Sequence, residues 1–157
     1  MKTNEYFAKV PLLYLIDTWK LCTKPYHGNL KGCPNWAKKE GCPPNCNLIQ
    51  NTIDLSKDVW IIYNSFNIGK FAARMKDKHP NWTEKQMYCC RYWQPTARKQ
   101  LREKIVTFKH VFPDLKIVTN PEAQGVDITA TMAEIGIILD WPPRKTSYQV
   151  VLAGIKK

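Results

Sequence analysis

Val59-Trp60-Ile61-Ile62-Tyr63-Asn64-Ser65-Phe66-Asn67-Ile68-Gly69-Lys70-Phe71-Ala72-Ala73-Arg74-Met75 changes period part-way along its length. Its first five residues are an unbroken run of β-branched and aromatic side chains, which reads as a buried strand. Apolar residues then recur at helical spacing at Ile68, Phe71, Ala72 and Met75, and His79-Pro80 closes that helix because proline cannot continue it. A buried strand beside an amphipathic helix points to a mixed α/β (α+β) class.

The pattern extends in both directions. Thr83-Glu84-Lys85-Gln86 is a capping box opening a second helix, with Cys89 and Cys90 in or just after its later turns. Gln94-Pro95 starts a third helix with Pro95 at its first position, and Ala97, Leu101, Ile105 and Phe108 fall on one face. Leu115 to Thr119 and Tyr148 to Ile155 read as strands. Between them Asp127 or Thr129 caps a short helix that Gly136 stops. Upstream, Lys9 to Trp19 forms a first strand or buried turn, weakened by Pro11. The expectation is one domain over residues 1–157, a short mixed sheet flanked by helices, carrying an irregular cysteine-rich loop at residues 21–47.

That loop holds Pro25, Gly28, Gly32, Pro34, Gly41, Pro43 and Pro44, a density of breakers that excludes long regular structure. Something other than backbone ladders has to support it. It also contains Cys22, Cys33, Cys42 and Cys46, separated by ten, eight and three residues. Thiolates bind soft or borderline metals, and four of them close a tetrahedral zinc site or hold one iron–sulfur cluster. Ribbon-type zinc sites use two close pairs and this loop has one, Cys42 and Cys46, which argues against a zinc ribbon. His27 and His79 are possible replacements for a thiolate. Cys89 and Cys90 cannot easily share one ion, since adjacent helical side chains diverge by about 100°. One of them is expected as a further ligand or a redox-active thiol.

Composition narrows the setting. The 157 residues are 44% apolar and 11% aromatic, too apolar for a disordered tail. The apolar run Val10 to Ile16 is far shorter than the roughly 20 residues that span a bilayer, so no membrane partner is expected. Met1 to Glu5 has an acidic residue and no apolar stretch of signal type, which makes the cytoplasm the expected compartment. There, six cysteines point to metal or redox chemistry rather than disulfides.

The chain carries 24 Lys+Arg against 13 Asp+Glu, a net +11. Between Lys70 and Lys109 stand eleven basic and three acidic residues, a surplus of eight. Arg91, Arg98, Lys99 and Arg102 are candidate anion-binding residues, with Lys109 on the same solvent face of the third helix. Such a strip attracts an acidic protein partner, an anionic substrate or nucleic acid, and Trp82, Tyr88, Tyr92 and Trp93 are candidates to stack on unpaired bases. Glycine-rich phosphate loops and hydrolase motifs are absent from the sequence.

Four elements together, Tyr26-His27-Gly28, Cys42-Pro43-Pro44, Cys90-Arg91, and Pro121-Glu122-Ala123-Gln124-Gly125-Val126-Asp127-Ile128 with Thr131 and Gly136, give a resemblance. The chain resembles a family of small cysteine-rich prokaryotic and phage proteins described as metal-binding and of unknown function. In that family a second group of close cysteines precedes the Cys-Arg element; here Cys89 alone stands beside Cys90. The resemblance implies metal binding, with an iron–sulfur cluster as first expectation and zinc as the alternative, and it implies no particular reaction. Two functional classes follow. One is a cluster protein in redox or sulfur-related chemistry; the other is a zinc-stabilised nucleic-acid-binding module using residues 70–109. The metal loop and the basic strip are expected as neighbours on one face.

Overall fold

A computed structural model describes residues 6–26 and 28–157. One sheet organises them, with strands in the order β1-β2-β4-β3: β1 (Phe7–Lys9), β2 (Trp60–Phe66), β3 (Lys116–Val118) and β4 (Ser147–Gly154). The helices are α1 (Thr18–Thr23), α2 (Ile49–Thr52), α3 (Ile68–Lys78), α4 (Glu84–Met87), α5 (Cys90–Val111) and α6 (Ile128–Glu134). This is the expected mixed α/β fold, although every strand pairing is antiparallel, so the sheet itself is not mixed.

β2 and β4 pair along their length, Trp60 opposite Ala153 through Phe66 opposite Ser147. Successive strand residues point to opposite faces. Ile61 and Leu152 pack with Ile49, Ile53, Val118, Val126 and Met132 on one face. Ile62 and Val151 pack with Phe7, Leu101 and Phe108 of α5 on the other. Both faces are covered, which is why the β2 run is apolar without alternation. A third cluster, Phe66, Ile68, Phe71, Trp93 and Ala97, closes the junction of β2, α3 and α5.

Two helical expectations change. The helix expected to begin at Pro95 begins at Cys90 and runs 22 residues with Pro95 inside it. Pro95 is exposed, near the start, and its missing N–H costs one bond to the carbonyl of Arg91, an exposed residue whose carbonyl water can reach. The expected strand at Lys9 to Trp19 ends at Lys9, since Pro11 has no N–H to pair, and Trp19 lies in α1. Asp17 caps that helix, its side chain accepting from the Lys20 amide at 3.1 Å. The capping box at Thr83 and Gln86 forms as the sequence dictates, and Asp127 caps α6. Among the described residues no helix is long and apolar enough to cross a membrane.

Candidate metal centre

The cysteine loop connects α1 to α2 as a chain of tight turns. The Cys33 amide donates to the Cys22 carbonyl at 2.8 Å, the Cys42 amide to Lys39 at 3.1 Å, and the Asn45 amide to Cys42 at 2.9 Å. Gly32 makes the first closure possible at φ +86°, where a side chain's Cβ would stand 2.6 Å from the Cys22 carbonyl oxygen. Local turns thus supply some of the support that the breaker-rich loop requires.

The rest comes from the segment after β3. The Asn120 side-chain amide donates to the Gly41 carbonyl. The Cys46 thiol donates to the Ala123 carbonyl at 3.4 Å. Gln124 holds α2 at both ends, its carbonyl accepting from the Ile49 amide at 2.9 Å and its side-chain oxygen from the Thr52 hydroxyl at 2.6 Å. The Gly125 carbonyl accepts from the Ile16 amide at 2.9 Å, and Gly125 adopts φ +91° with Ile16 pressed against it. The Pro121-to-Asp127 motif is therefore the buttress of the cysteine loop. Sequence reading marked the motif as distinctive and gave it no such task, because nothing local ties residues 120–125 to residues 16–52.

Between loop and buttress lies a cavity of about 540 Å³ lined by Cys22, Cys33 and Cys42, with Trp36, Lys39 and Glu122 on its walls. All six cysteines are free thiols. Burial first, then the charges of Cys33, Cys42 and Cys46, pushes the Cys22 thiol above its ordinary value. Burial and Cys42 do the same to Cys46. Both shifts keep these two thiols protonated, and a bound cation would favour their thiolate forms. Glu122 is exposed over its length, yet loss of water around its carboxyl, only partly offset by a backbone hydrogen bond, raises its pKa as well. As the side chains stand, no group of three His, Cys, Asp or Glu among the described residues is gathered tightly enough to hold a single metal ion.

The remaining candidates lie elsewhere. Cys89 is the N-cap residue of α5 and Cys90 its first residue, and neither lines the cavity. His79 caps α3 and stacks on Trp82 with ring centroids 4.2 Å apart, also outside the cavity. His27 lies outside the described residues.

Arg91, Arg98, Lys99 and Arg102 are all exposed on α5. At about 100° per residue, Arg91, Arg98 and Arg102 fall within roughly 40° of one another and form a single row, with Lys99 some 60° or more away. Lys109 leaves the strip, because its ammonium group turns to the carbonyls of Leu115, at 2.7 Å, and Pro113. The row and the cysteine loop are not neighbours on one face. α5 packs on the Ile62 face of the sheet, while Ile49 and Val126, at the loop's anchorage, pack on the Ile61 face.

No protein-family model, curated protein or solved structure matches this chain. The family resemblance stays an expectation from its motifs.

The aromatic residues expected to meet bases are mostly engaged within the protein. Trp93 is buried, its indole N–H donating to the Tyr88 carbonyl at 3.1 Å. Arg144 lies over the Tyr88 ring at 4.4 Å. Trp82 stacks on His79 and meets the Tyr92 ring at a tilt, and of the four Tyr92 alone is exposed.

Proposed function

We propose that the protein binds a thiolate-ligated metal centre at Cys22, Cys33, Cys42 and Cys46, an iron–sulfur cluster in first place and zinc as the alternative, serving redox or sulfur-related chemistry. The observation that supports the reading is the convergence of Cys22, Cys33 and Cys42 on one cavity, with Cys46 tied to the Ala123 carbonyl on the buttress that forms its far wall. Without a metal the thiols are neutral groups in a loop held by turns and the buttress; a bound metal takes up their thiolates and fastens the loop. Zinc requires four sulfurs at about 2.3 Å from one centre, whereas a cluster is a wider body held by four thiolates. When bound, such a cluster carries electrons. The protein's own part is to exclude solvent with Trp36 and Pro43, to position the sulfurs through the 120–125 buttress, and to offset the anionic site with Lys39 on the cavity wall. The Arg91, Arg98 and Arg102 row on the far face suits docking of an acidic protein partner or an anionic substrate. A nucleic-acid module built on that row has less in its favour, since the nearby aromatic rings are largely committed to internal packing.

Anaerobic purification followed by iron, acid-labile sulfide and zinc analysis tests the proposal. The expected sample is brown with iron and sulfide, and Cys22→Ser, Cys33→Ser, Cys42→Ser and Cys46→Ser each lose the colour while Cys90→Ser keeps it. A colourless sample with stoichiometric zinc removes the cluster; absence of any metal, or loss only with Cys89 and Cys90 substitutions, removes the site.

A further inference from the structure

On the α5 face of the sheet the apolar contact is interrupted by Asn64, which is only 2% exposed in β2. Its amide nitrogen donates to Gln149 Oε1 at 2.9 Å, Gln100 Oε1 at 3.0 Å and the Ala97 carbonyl at 3.3 Å, and its oxygen accepts from Lys104 Nζ at 2.8 Å. Two N–H groups facing three acceptors lock this amide in place. Buried polar networks of this kind cost stability unless satisfied, so a position flanked by Ile62 and Phe66 has no packing reason to be asparagine.

The lock has a consequence at the surface. With Gln100 Oε1 taken by Asn64, the Gln100 –NH2 has no acceptor among the described residues. Gln100 and Ser65 line two cavities, one of about 570 Å³ between α3 and α5 and a smaller one of about 470 Å³ along β2 and α5 that Glu103 and Lys104 also line. The larger also carries Asn67, Lys70, Arg74 and Asp77. Lys70 and Arg74 are one turn apart on α3 and therefore side by side. Arg74 lies against the Phe71 ring at 5.9 Å, and neither cation pairs with a carboxylate: the ion pairs seen among the described residues are Lys9 with Asp58 and Arg144 with Glu84. Two cations, the Gln100 amide and a hydroxyl, with the Asp77 carboxylate as the one opposing charge, thus line a cavity whose volume suits a ligand of nucleotide size.

We propose that this α3–α5 groove binds a phosphate group, with Lys70 and Arg74 supplying charge and Gln100 Nε2 a fixed donor. Asn64 is the positioning residue that holds the Gln100 amide. The site is separate from the cysteine cavity and from the Arg91, Arg98 and Arg102 row, which is on the opposite flank of α5 from Gln100.

The test uses the full chain as purified, with two probes, adenosine 5′-monophosphate followed by calorimetry and a fluorescein-labelled single-stranded thymidine dodecamer followed by anisotropy. Lys70→Ala/Arg74→Ala and, separately, Gln100→Glu are expected to weaken binding roughly tenfold or more, the loss of one charged hydrogen bond. Gln100→Glu keeps the oxygen that Asn64 uses and replaces only the outward donor, so unchanged circular dichroism accompanies the loss. Arg98→Ala/Arg102→Ala is expected to leave binding within twofold. Saturation by the monophosphate identifies a small phosphoester site; binding of the oligomer alone, weakening steeply with salt, identifies a nucleic-acid backbone. Failure of both probes to bind, or loss confined to the Arg98/Arg102 variant, overturns the proposal.

Discussion

Gly32 carries the sharpest constraint of any residue in the cysteine loop. Its φ of +86° and the Cys22 and Thr23 backbone within 3.0 Å of where a Cβ would stand combine conformational strain with a collision against main chain that cannot yield. Gly32→Ala should therefore cost about 2 kcal/mol or more, a melting temperature lower by roughly 4–8 °C, and should reduce the bound metal. Gly136 has nearly the same φ, +83°, with nothing within 4 Å, so Gly136→Ala should cost only about 1 kcal/mol and leave the metal content alone. Equal losses in the two variants, in paired thermal melts, would show that the Cys22 contact does not matter. The thiols add a pH dependence. Cys22 and Cys46 are raised above the ordinary value of 9.0, so the folded chain prefers them neutral. Their contribution to stability is complete below the pKa of the unfolded thiol and is lost as pH climbs through the raised folded value. Metal-free protein should melt at lower temperature at about pH 10 than at about pH 8, and joint Cys22→Ser and Cys46→Ser substitution should flatten that fall. Metal acts in the other direction: ligation expels the thiol protons, so retention against a chelator should improve from about pH 6 to pH 8.

At the scale of elements, the parts most readable in the sequence were those with a local cause. The Thr83–Gln86 capping box and the Asp127 cap satisfy helix-end amides within three residues. The stripe Ala97, Leu101 and Phe108 is buried because its spacing alone defines a face. α5 was placed too late because Pro95 is a common first helical residue, and the Phe66–Trp93 stacking that extends the helix back to Cys90 is a long-range contact. α2, only four residues long, depends on Gln124 and on Ile49 in the core, neither of which announces a helix. The loop's support is divided in the same way, turns of its own and a buttress from residues 120–125. Hydrogen exchange should register this division. Chelation is expected to speed exchange of amides in residues 21–47 while those of β2 and β4, paired along seven positions, keep their protection. Uniform acceleration across the sheet would mean the metal holds the whole fold rather than the loop.

For the molecule as a whole, charge and cysteine content follow from the sequence, but their mutual arrangement does not. Four thiols within 25 positions, a surplus of basic residues from 70 to 109, and a strand followed by a helix are properties of the linear chain, since local spacing and composition cause them. Opposite faces of one sheet decide the rest. The alternation of Ile61 and Ile62 sends the cysteine-loop anchorage to one side and α5 to the other, so two features expected together stand apart. Tertiary structure also gave the Pro121–Asp127 motif its task as buttress and left Cys89 and Cys90 away from the cavity. It created the α3–α5 groove from residues 30 positions apart, Lys70 on one helix and Gln100 on the other. The sequence by itself determined where the locally caused elements form and which chemistry the chain can offer, because helix periodicity, capping and thiol supply are local. Which side chains meet was decided only when strand pairing between residues 60–66 and 147–153 fixed the faces of the sheet, a contact whose partners are separated by more than half the chain.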